Sequence, residues 1–316
     1  MHINGYFHPE TENYKFWSSQ EEVKLRELVS DSLSFSDIGK ILKRSKQSCQ
    51  NHSTIMGLKN NYMRRKYSNN SDFWSSPNLL NCYWAGMSAA DASIHKRGRN
   101  NDKYTFRMSL AAVDEKHLIQ FKQDIDFDGE VIISDRLKNG KNYPVATLTI
   151  NDNKWGVDLA EIFNIVPNKA HGLRSPNLND DLLKLSYFIG YTDGDGCICL
   201  VNRKNITKPE LLFRFTSCSI EIITWLKSLI DRIFPKHIFS RRNNKTSIST
   251  SSNKNYHSFA VSGMRALVLY NYLKDFNVPK LDRKWNRQII LDFLNENKQL
   301  YPHYFNINPQ LNTINS

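Results

Sequence analysis

The chain contains 316 residues, of which 40% are hydrophobic and 23% charged, an ordinary composition for a globular protein of two or three domains. Lysine and arginine number 43 against 31 acidic residues, and the net charge of +12 favours a polyanionic partner. The sequence shows no membrane-spanning apolar run, no signal peptide and no framework of paired cysteines, so we expect an intracellular protein with reduced thiols and no membrane partner.

The positive charge suits two kinds of polyanion, nucleic acid and an anionic membrane. The basic residues are dispersed, and no basic amphipathic helix with a large apolar face accompanies them. The sequence also lacks a phosphate-binding Gly-x-x-x-x-Gly-Lys loop and a His-Glu-x-x-His motif, which argues against a P-loop ATPase and a zinc protease. Nucleic acid is therefore the expected partner.

Residues 1–60 carry the signals of three short helices. Ser18, with Glu21 three residues later, is typical of a capping box that opens a helix. The segment 36–42 has the apolar spacing of a second helix, and Ser45 is suited to cap a third. The third helix would enter the major groove, where its polar side chains can read base edges. The expected DNA-contacting residues of this helix are Lys46, Gln47, Gln50, Asn51 and Thr54.

Three stretches of this region resemble a Myb/SANT-type helix-turn-helix: WSSQEE at 17–22, FSDIG at 35–39 and RSKQS at 44–48. The resemblance implies a small all-α DNA-binding domain. The alternative is a helical bundle that contacts only the rest of the protein. A polar, basic linker is expected over 61–76, in which Arg64 and Arg65 either contact phosphate or form a solvated charge run.

From residue 79 onward the sequence contains two similar halves. YWAGMSAADASI at 83–94 aligns with YFIGYTDGDGCI at 187–198, with tyrosine, glycine, aspartate and isoleucine in register. Each motif precedes two strand-like segments, a helix, two more strand-like segments and another helix. In the second half, the last two strands are expected near 237–240 and 256–261. A duplicated α/β unit explains this pattern better than one irregular domain.

The duplication sets the expected domain boundaries. The first repeat is predicted to span 77–176 and the second 177–300. Residues 301–316 are polar and are expected to form a C-terminal tail that frays or packs loosely across the repeat.

The two motifs predict a pair of closely crossing helices that end in carboxylates. Gly86 and Gly190 leave little side chain between the helices. Asp91 and Asp195 would then meet at two helix C-termini, where the macrodipole is negative, and would repel each other unless cations lie between them. Oxygen ligands of this kind suit Mg²⁺, whose shell is completed by water and substrate phosphate. Two such ions can activate water and stabilise a leaving oxygen, which is the chemistry of a phosphodiester-cleaving enzyme.

The paired motifs, WAGMSAADA at 84–92 and FIGYTDGDG at 188–196, resemble those of the single-chain LAGLIDADG homing endonucleases. The resemblance implies an α+β fold in which a pseudo-twofold pair of αββαββα repeats with saddle-shaped antiparallel sheets accompanies the small helix-turn-helix domain. It also implies a monomer that cleaves a long, nearly asymmetric double-stranded DNA site across the minor groove and leaves short 3′ overhangs.

The same resemblance implies a set of metal ligands. They are the carboxylates of Asp91 and Asp195 with the backbone carbonyls of Ala92 and Gly196. Mg²⁺ is the implied cofactor, and Mn²⁺ is expected to substitute for it. Ala89 stands where the family often has its first aspartate, and Ala92 replaces the last glycine. We interpret both changes as packing variants, because both ligand positions remain acidic.

Basic residues are expected around the metal ligands and along the sheets. Lys169 and Lys280 follow matching proline-containing phrases and are candidates for stabilising charge or positioning water, or else for ordinary phosphate contacts. The strands and their connections are expected to supply further DNA contacts. These residues are Lys103, Arg107, Arg203 and Arg214.

Two other functions use the same features differently. A transcription regulator would keep the fold for DNA binding without cleavage, although the retained pair Asp91 and Asp195 argues against it. An intron RNA maturase would use the basic surface, but RNA recognition usually requires exposed stacking aromatics, which the sequence does not place. A site-specific DNA endonuclease is the favoured prediction.

Overall fold

The computed structural model describes residues 16–31, 33–58, 60, 67–97, 103–138, 140–202, 208–239, 247–253 and 255–311. They belong to two compact units, Met1–Lys66 and Tyr67–Ser316. Across these described ranges, no helix has the length and apolar character needed to cross a membrane.

The N-terminal unit contains the three expected helices, α1 Ser19–Ser30, α2 Phe35–Leu42 and α3 Lys46–Ile55. Ser18 and Glu21 form the reciprocal capping box of α1, and serine side chains also cap α2 and α3. The helices enclose a small core whose buried apolar residues come from all three. These residues are Leu25, Leu28, Val29, Ile38 and Cys49.

The first repeat follows the order αββαββα. Its elements are α4 Leu79–Asp91, β1 Ala92–Arg97, β2 Lys103–Ala111, α5 Glu115–Asp124, β3 Ile132–Lys138, β4 Lys141–Ile150 and α6 Asn153–Phe163. The four strands form an antiparallel sheet in the order β1-β2-β4-β3. One face of this sheet is buried under the helices and the other is open, as the alternating burial along β2 and β4 shows.

The second repeat has the same order of elements with additions. They are α7 Asp181–Gly194, β5 Gly196–Val201, β6 Glu210–Ser217, α8 Ile220–Ile233, α9 Lys236–Phe239, β7 Ser249–Thr250, β8 His257–Ser262 and α10 Met264–Lys274, followed by α11 Asp282–Trp285, α12 Gln288–Leu300 and α13 Pro302–Phe305. The sheet order β5-β6-β8-β7 repeats that of the first half. The predicted α+β fold with two αββαββα repeats is therefore confirmed.

The structure corrects two local predictions. The segment 237–240 was expected to contain a strand, but α9 is a one-turn helix that begins after Pro235, a residue suited to a first helical turn. Residues 67–76 were expected to belong to a linker, yet Phe73 and Trp74 are buried in the core of the first repeat. The Trp155 indole N–H also donates to the carbonyl of Asn70 at 2.9 Å.

The C-terminal tail packs against the second repeat over the part that the structure describes. Tyr304 and Phe305 lie against the core, and the backbone N–H of Gln310 donates to the carbonyl of Ile233 at 3.1 Å. Of the two arrangements expected for the tail, fraying and packing across the repeat, the described residues adopt the packed one.

The two motif helices, α4 and α7, cross backbone against backbone. A Cβ atom added at Gly86 would lie 2.8 Å from the carbonyl carbon of Tyr187, and one at Gly190 would lie 2.8 Å from the carbonyl carbon of Tyr83. The reciprocal contacts show a pseudo-twofold axis that passes between the helices. Only glycine allows this approach, so the crossing brings the C-terminal ends of both helices together.

Candidate metal centre and nucleic-acid interface

Two carboxylates lie at the adjacent ends of α4 and α7. Asp91 is the last residue of α4, and Asp195 caps the C-terminus of α7. A Cβ atom at Gly194 would lie 3.1 Å from Oδ2 of Asp91, so the first carboxylate lies against the end of the second helix. Both side chains remain accessible to solvent. The motifs thus place two acidic groups where a ligand can reach them.

The electrostatic environment of these carboxylates resists their ionisation. Desolvation by the surrounding protein, followed by the charge of Asp195, raises the pKa of Asp91 to about 6. Desolvation also raises the pKa of Asp195, and the ammonium groups of Lys169 and Lys284 oppose that rise. Mutual repulsion of this kind is relieved when cations are bound between the acids.

Lys169 binds the C-terminal end of the first motif helix. Its Nζ donates to the carbonyl oxygens of Ala89 at 2.5 Å and Ala90 at 3.2 Å. Desolvation lowers the pKa of this lysine, while the carboxylates of Asp195 and Asp91 act in the opposite direction. Lys169 therefore lies close enough to both acids to act on them electrostatically, and its role in the chemistry stays a prediction.

Lys284, and not Lys280, holds the corresponding position at the second motif helix. Lys284 lies in α11 and is buried, and its Nζ donates to the carbonyls of Thr192 at 2.8 Å, Asp193 at 2.5 Å and Gly196 at 2.7 Å. Lys280 instead donates to the carbonyl of Phe276. The proline phrases align well in sequence, but the chain of the second repeat continues for four more residues before its lysine reaches the helix end. This corrects the predicted pairing.

The charge pattern alone would not have selected Lys284. It is one of several cations in the segment 280–287, and nothing in its spacing separates it from its neighbours. The one hint in the sequence was that the second repeat is longer than the first. A residue at a given distance after Asp91 therefore need not be equivalent to the residue at the same distance after Asp195.

The available metal ligands, two carboxylates, fit a divalent ion that keeps part of its water shell. The described ranges contain no cluster of three or more His, Cys, Asp or Glu side chains that could hold a metal. The protein therefore offers two carboxylates, to which the backbone carbonyls of Ala92 and Gly196 were expected to add. In this structure the Gly196 carbonyl accepts a hydrogen bond from Lys284. A metal held by two acids and completed by water and phosphate is the coordination that Mg²⁺ favours.

Asp193, two residues before the second candidate ligand, joins the repeats. Its buried carboxylate accepts hydrogen bonds from the Tyr83 hydroxyl at 2.8 Å, the Leu281 backbone N–H at 3.0 Å and the Trp285 indole N–H at 2.6 Å. The corresponding residue in the first motif is Ala89, which is buried without a polar group. Asp193 is thus a structural residue.

The two sheet arginines occupy equivalent positions. Arg107 lies opposite Ser93 in the pairing of β1 with β2, and Arg214 lies opposite Cys197 in the pairing of β5 with β6. Ser93 and Cys197 each follow a motif aspartate by two residues. Both arginines are exposed on the open face of their sheet. The register therefore places one arginine on the strand that pairs with the one following each motif aspartate.

Strand alternation identifies further residues on the open face of the first sheet that sequence reasoning missed. Lys103 and Thr105 share the face of Arg107, as expected from the period of two. The pairing of β2 with β4 and of β4 with β3 extends this face to Thr149, Thr147, Tyr143, Lys141 and Arg136. Arg203, predicted for the second sheet, lies outside the described residues.

Helix α3 presents a polar surface in the N-terminal unit. All five predicted contact residues are exposed, while Cys49 and Ser53 are buried on the opposite side. Gln47 donates to the Asn51 side chain at 2.8 Å, which fixes the direction of both amides. The five exposed residues are Lys46, Gln47, Gln50, Asn51 and Thr54. Arg64 and Arg65 lie outside the described residues.

No family model matches this chain, and no curated protein does either. Solved structures that it resembles are of LAGLIDADG homing endonucleases. The structure of I-LtrWI bound to target DNA is 12% identical, has a TM-score of 0.44, and is matched over 72% of this chain and 92% of that chain. I-SmaMI bound to cleaved DNA is 14% identical with a TM-score of 0.44, over 73% and 94%. I-SmaMI on an uncleaved target with calcium ions is 13% identical with a TM-score of 0.42, over 73% and 96%.

Proposed function

We propose that this protein is a site-specific, metal-dependent DNA endonuclease of the LAGLIDADG type that hydrolyses one phosphodiester on each strand of a double-stranded target. The observation that carries the proposal is the meeting of Asp91 and Asp195 at the ends of two glycine-crossed helices. Cleavage across the minor groove with short 3′ overhangs follows from the family resemblance of the two motifs.

The candidate site combines acids and cations in a way that suits phosphodiester hydrolysis. Mg²⁺, when bound by the two carboxylates, supplies a Lewis acid and lowers the pKa of a bound water. Lys169 and Lys284 hold the motif carbonyls, so they fix the directions of the acids and add positive charge next to the substrate phosphates. Asp193 keeps the second motif helix attached to Tyr83 of the first repeat.

The open sheet faces supply the DNA contacts in this proposal. Arg107 and Arg214, on the strands that pair with those following the motif aspartates, contact the backbone near the cleaved bonds. Hydroxyl groups of Thr105, Thr147 and Thr149 lie farther along the first sheet, where they reach base edges or phosphates. We therefore expect a long DNA target site, because each four-stranded sheet covers several base pairs.

The N-terminal unit has a separate role in this proposal. The exposed polar surface of α3 contacts DNA that flanks the cleavage site and raises the effective concentration of the nuclease unit there. Deleting residues 1–66 is then expected to weaken binding and shorten the footprint while cleavage persists at high protein concentration. A truncated protein that cannot cleave at any concentration would contradict this division of roles.

The test of the nuclease function is cleavage of a randomised duplex library in Mg²⁺, with Mn²⁺ in a parallel reaction. Wild type is compared with Asp91→Asn and Asp195→Asn, and Asp292→Asn on the exposed side of α12 is the matched control. We expect wild type and the control to cut one sequence, and the two site variants to bind that sequence without cutting it. Sequence-specific binding with no cleavage by any protein would instead support a DNA-binding regulator.

A further inference from the structure

A cavity of about 540 Å³ lies between the two repeats next to Asp195. The first repeat contributes Ser93, His95 and Lys169 to its wall, and the second contributes Thr216 and Asp195. A carboxylate, an ammonium group and an imidazole therefore line one space that is open to solvent. None of the roles assigned above uses His95.

His95 is held in a defined position on β1. Its Nε2 lies 3.0 Å from the hydroxyl oxygen of Ser93, and its side chain is exposed on the open face of the sheet. Alternation along the strand places Ser93 and His95 on one face, opposite Arg107 and Thr105 of β2. When Nε2 accepts from the Ser93 hydroxyl, the ring proton lies on Nδ1, which can then donate to an anionic ligand in the cavity.

The second repeat has different groups at the equivalent positions. Cys197 and Cys199 follow Asp195 by the same spacing, and they pair with Arg214 and Leu212 of β6. Their sulfur atoms lie 3.7 Å apart, in the place of the Ser93 and His95 contact. A thiol is a weak hydrogen-bond donor compared with an imidazole N–H. The two halves of the site are thus alike in their acids, lysines and arginines, but they differ at this position.

We propose that His95 contacts the phosphodiester that is cleaved beside Asp195, so that one DNA strand is cut with the help of an imidazole and the other is not. The imidazole donates to a non-bridging phosphate oxygen, whose negative charge grows as water attacks phosphorus. At the equivalent position the second repeat has Cys199, which offers the other strand no comparable donor. The proposal rests on the nuclease function proposed above, and it predicts unequal rates for the two strands.

The experiment is single-turnover cleavage of the selected target in Mg²⁺, with each strand labelled in a separate reaction. His95→Ala should slow one strand by about 10²-fold, the usual effect of removing one donor to a developing oxyanion, and leave the other strand unchanged. His95→Gln, which keeps an N–H donor, should restore part of the rate. Cys199→Ala is the matched control and should leave the ratio of the two rates unchanged.

The dissociation constant for the target is measured for every variant in Ca²⁺ and should not change, because the contact strengthens in the transition state. Equal slowing of both strands by His95→Ala, or no slowing of either, would overturn the role of His95. The proposed nuclease function would still stand in that case, because the wild-type protein cleaves the target. A wild-type protein that binds but does not cut would overturn the nuclease function, and the role of His95 with it.

Discussion

Replacing Gly190 by alanine tests the close crossing of the motif helices. The added Cβ atom would lie 2.8 Å from the carbonyl carbon of Tyr83 and 2.9 Å from the backbone nitrogen of Met87. Both obstacles are backbone atoms of α4, so no side-chain rotation relieves the overlap. The carbonyl oxygen of Tyr83 lies closer still, so the helices must separate by roughly 1 Å or more, which weakens the dispersion contacts along their whole length.

The expected cost follows from two opposing effects. Overpacking against backbone costs about 3 kcal/mol, and the better helix propensity of alanine returns about 1 kcal/mol. Gly190→Ala should therefore lower the unfolding free energy by about 2 kcal/mol. Since the carboxylates lie at the ends of the separating helices, cleavage should fall by about 10²-fold, the loss expected for a displacement of about 1 Å.

The measurement is urea unfolding followed by tryptophan fluorescence, which reports mainly on the unit that begins at Tyr67, because five of the six tryptophans lie there. Gly172→Ala is the matched control, since its Cβ would meet no atom within 4 Å. The control should be as stable as wild type. If Gly190→Ala matches the control in stability and cleavage, the helices tolerate separation and the reasoning is wrong.

Three further predictions concern the polar groups around the helix ends. Lys284→Met should abolish most cleavage and lower stability, because the backbone carbonyls of Thr192, Asp193, Gly194 and Gly196 lose their hydrogen-bond donor. Lys280→Met should change cleavage little, and single-turnover rates and urea midpoints compare the two variants. Asp193→Asn should cost about 1–3 kcal/mol in unfolding free energy, because its amide N–H₂ faces donors that then lack an acceptor. The pKa of Asp91 is raised in the folded protein, so without metal the unfolding free energy should fall as pH rises from about 4 to about 6. Thermal melts in a chelator should show this slope in wild type and a flatter one in Asp91→Asn, and an equal slope in both would contradict the assignment.

Features that depend on neighbouring residues could be predicted from the sequence. The capping box of Ser18 and Glu21 sets the start of α1 through hydrogen bonds within one helical turn. The motif glycines and aspartates were recognisable because two copies of the same spacing appear in one chain. Arg107 and Arg214 follow from alternation along single strands.

Features that depend on distant segments were harder to predict. Lys284 reaches the end of α7 only because the chain after α10 extends through the segment 275–281 and then turns into α11. Phe73 and Trp74 lie in a polar stretch whose composition resembles a linker, yet their rings fill space between α5 and α6. Both outcomes are decided by tertiary packing, which outweighs local composition.

The arrangement of lysines also bears on how metal and DNA would bind. Each motif helix ends with a partial negative charge of about half a unit, and a lysine ammonium group already donates to its last carbonyls. The helix ends therefore add little attraction for a divalent ion, and the two carboxylates must provide most of it. DNA phosphates add negative charge next to the metal ions. They also balance the positive charges of Lys169, Lys284, Arg107 and Arg214. Metal and DNA should consequently bind with positive coupling, because each ligand reduces the electrostatic cost of the other.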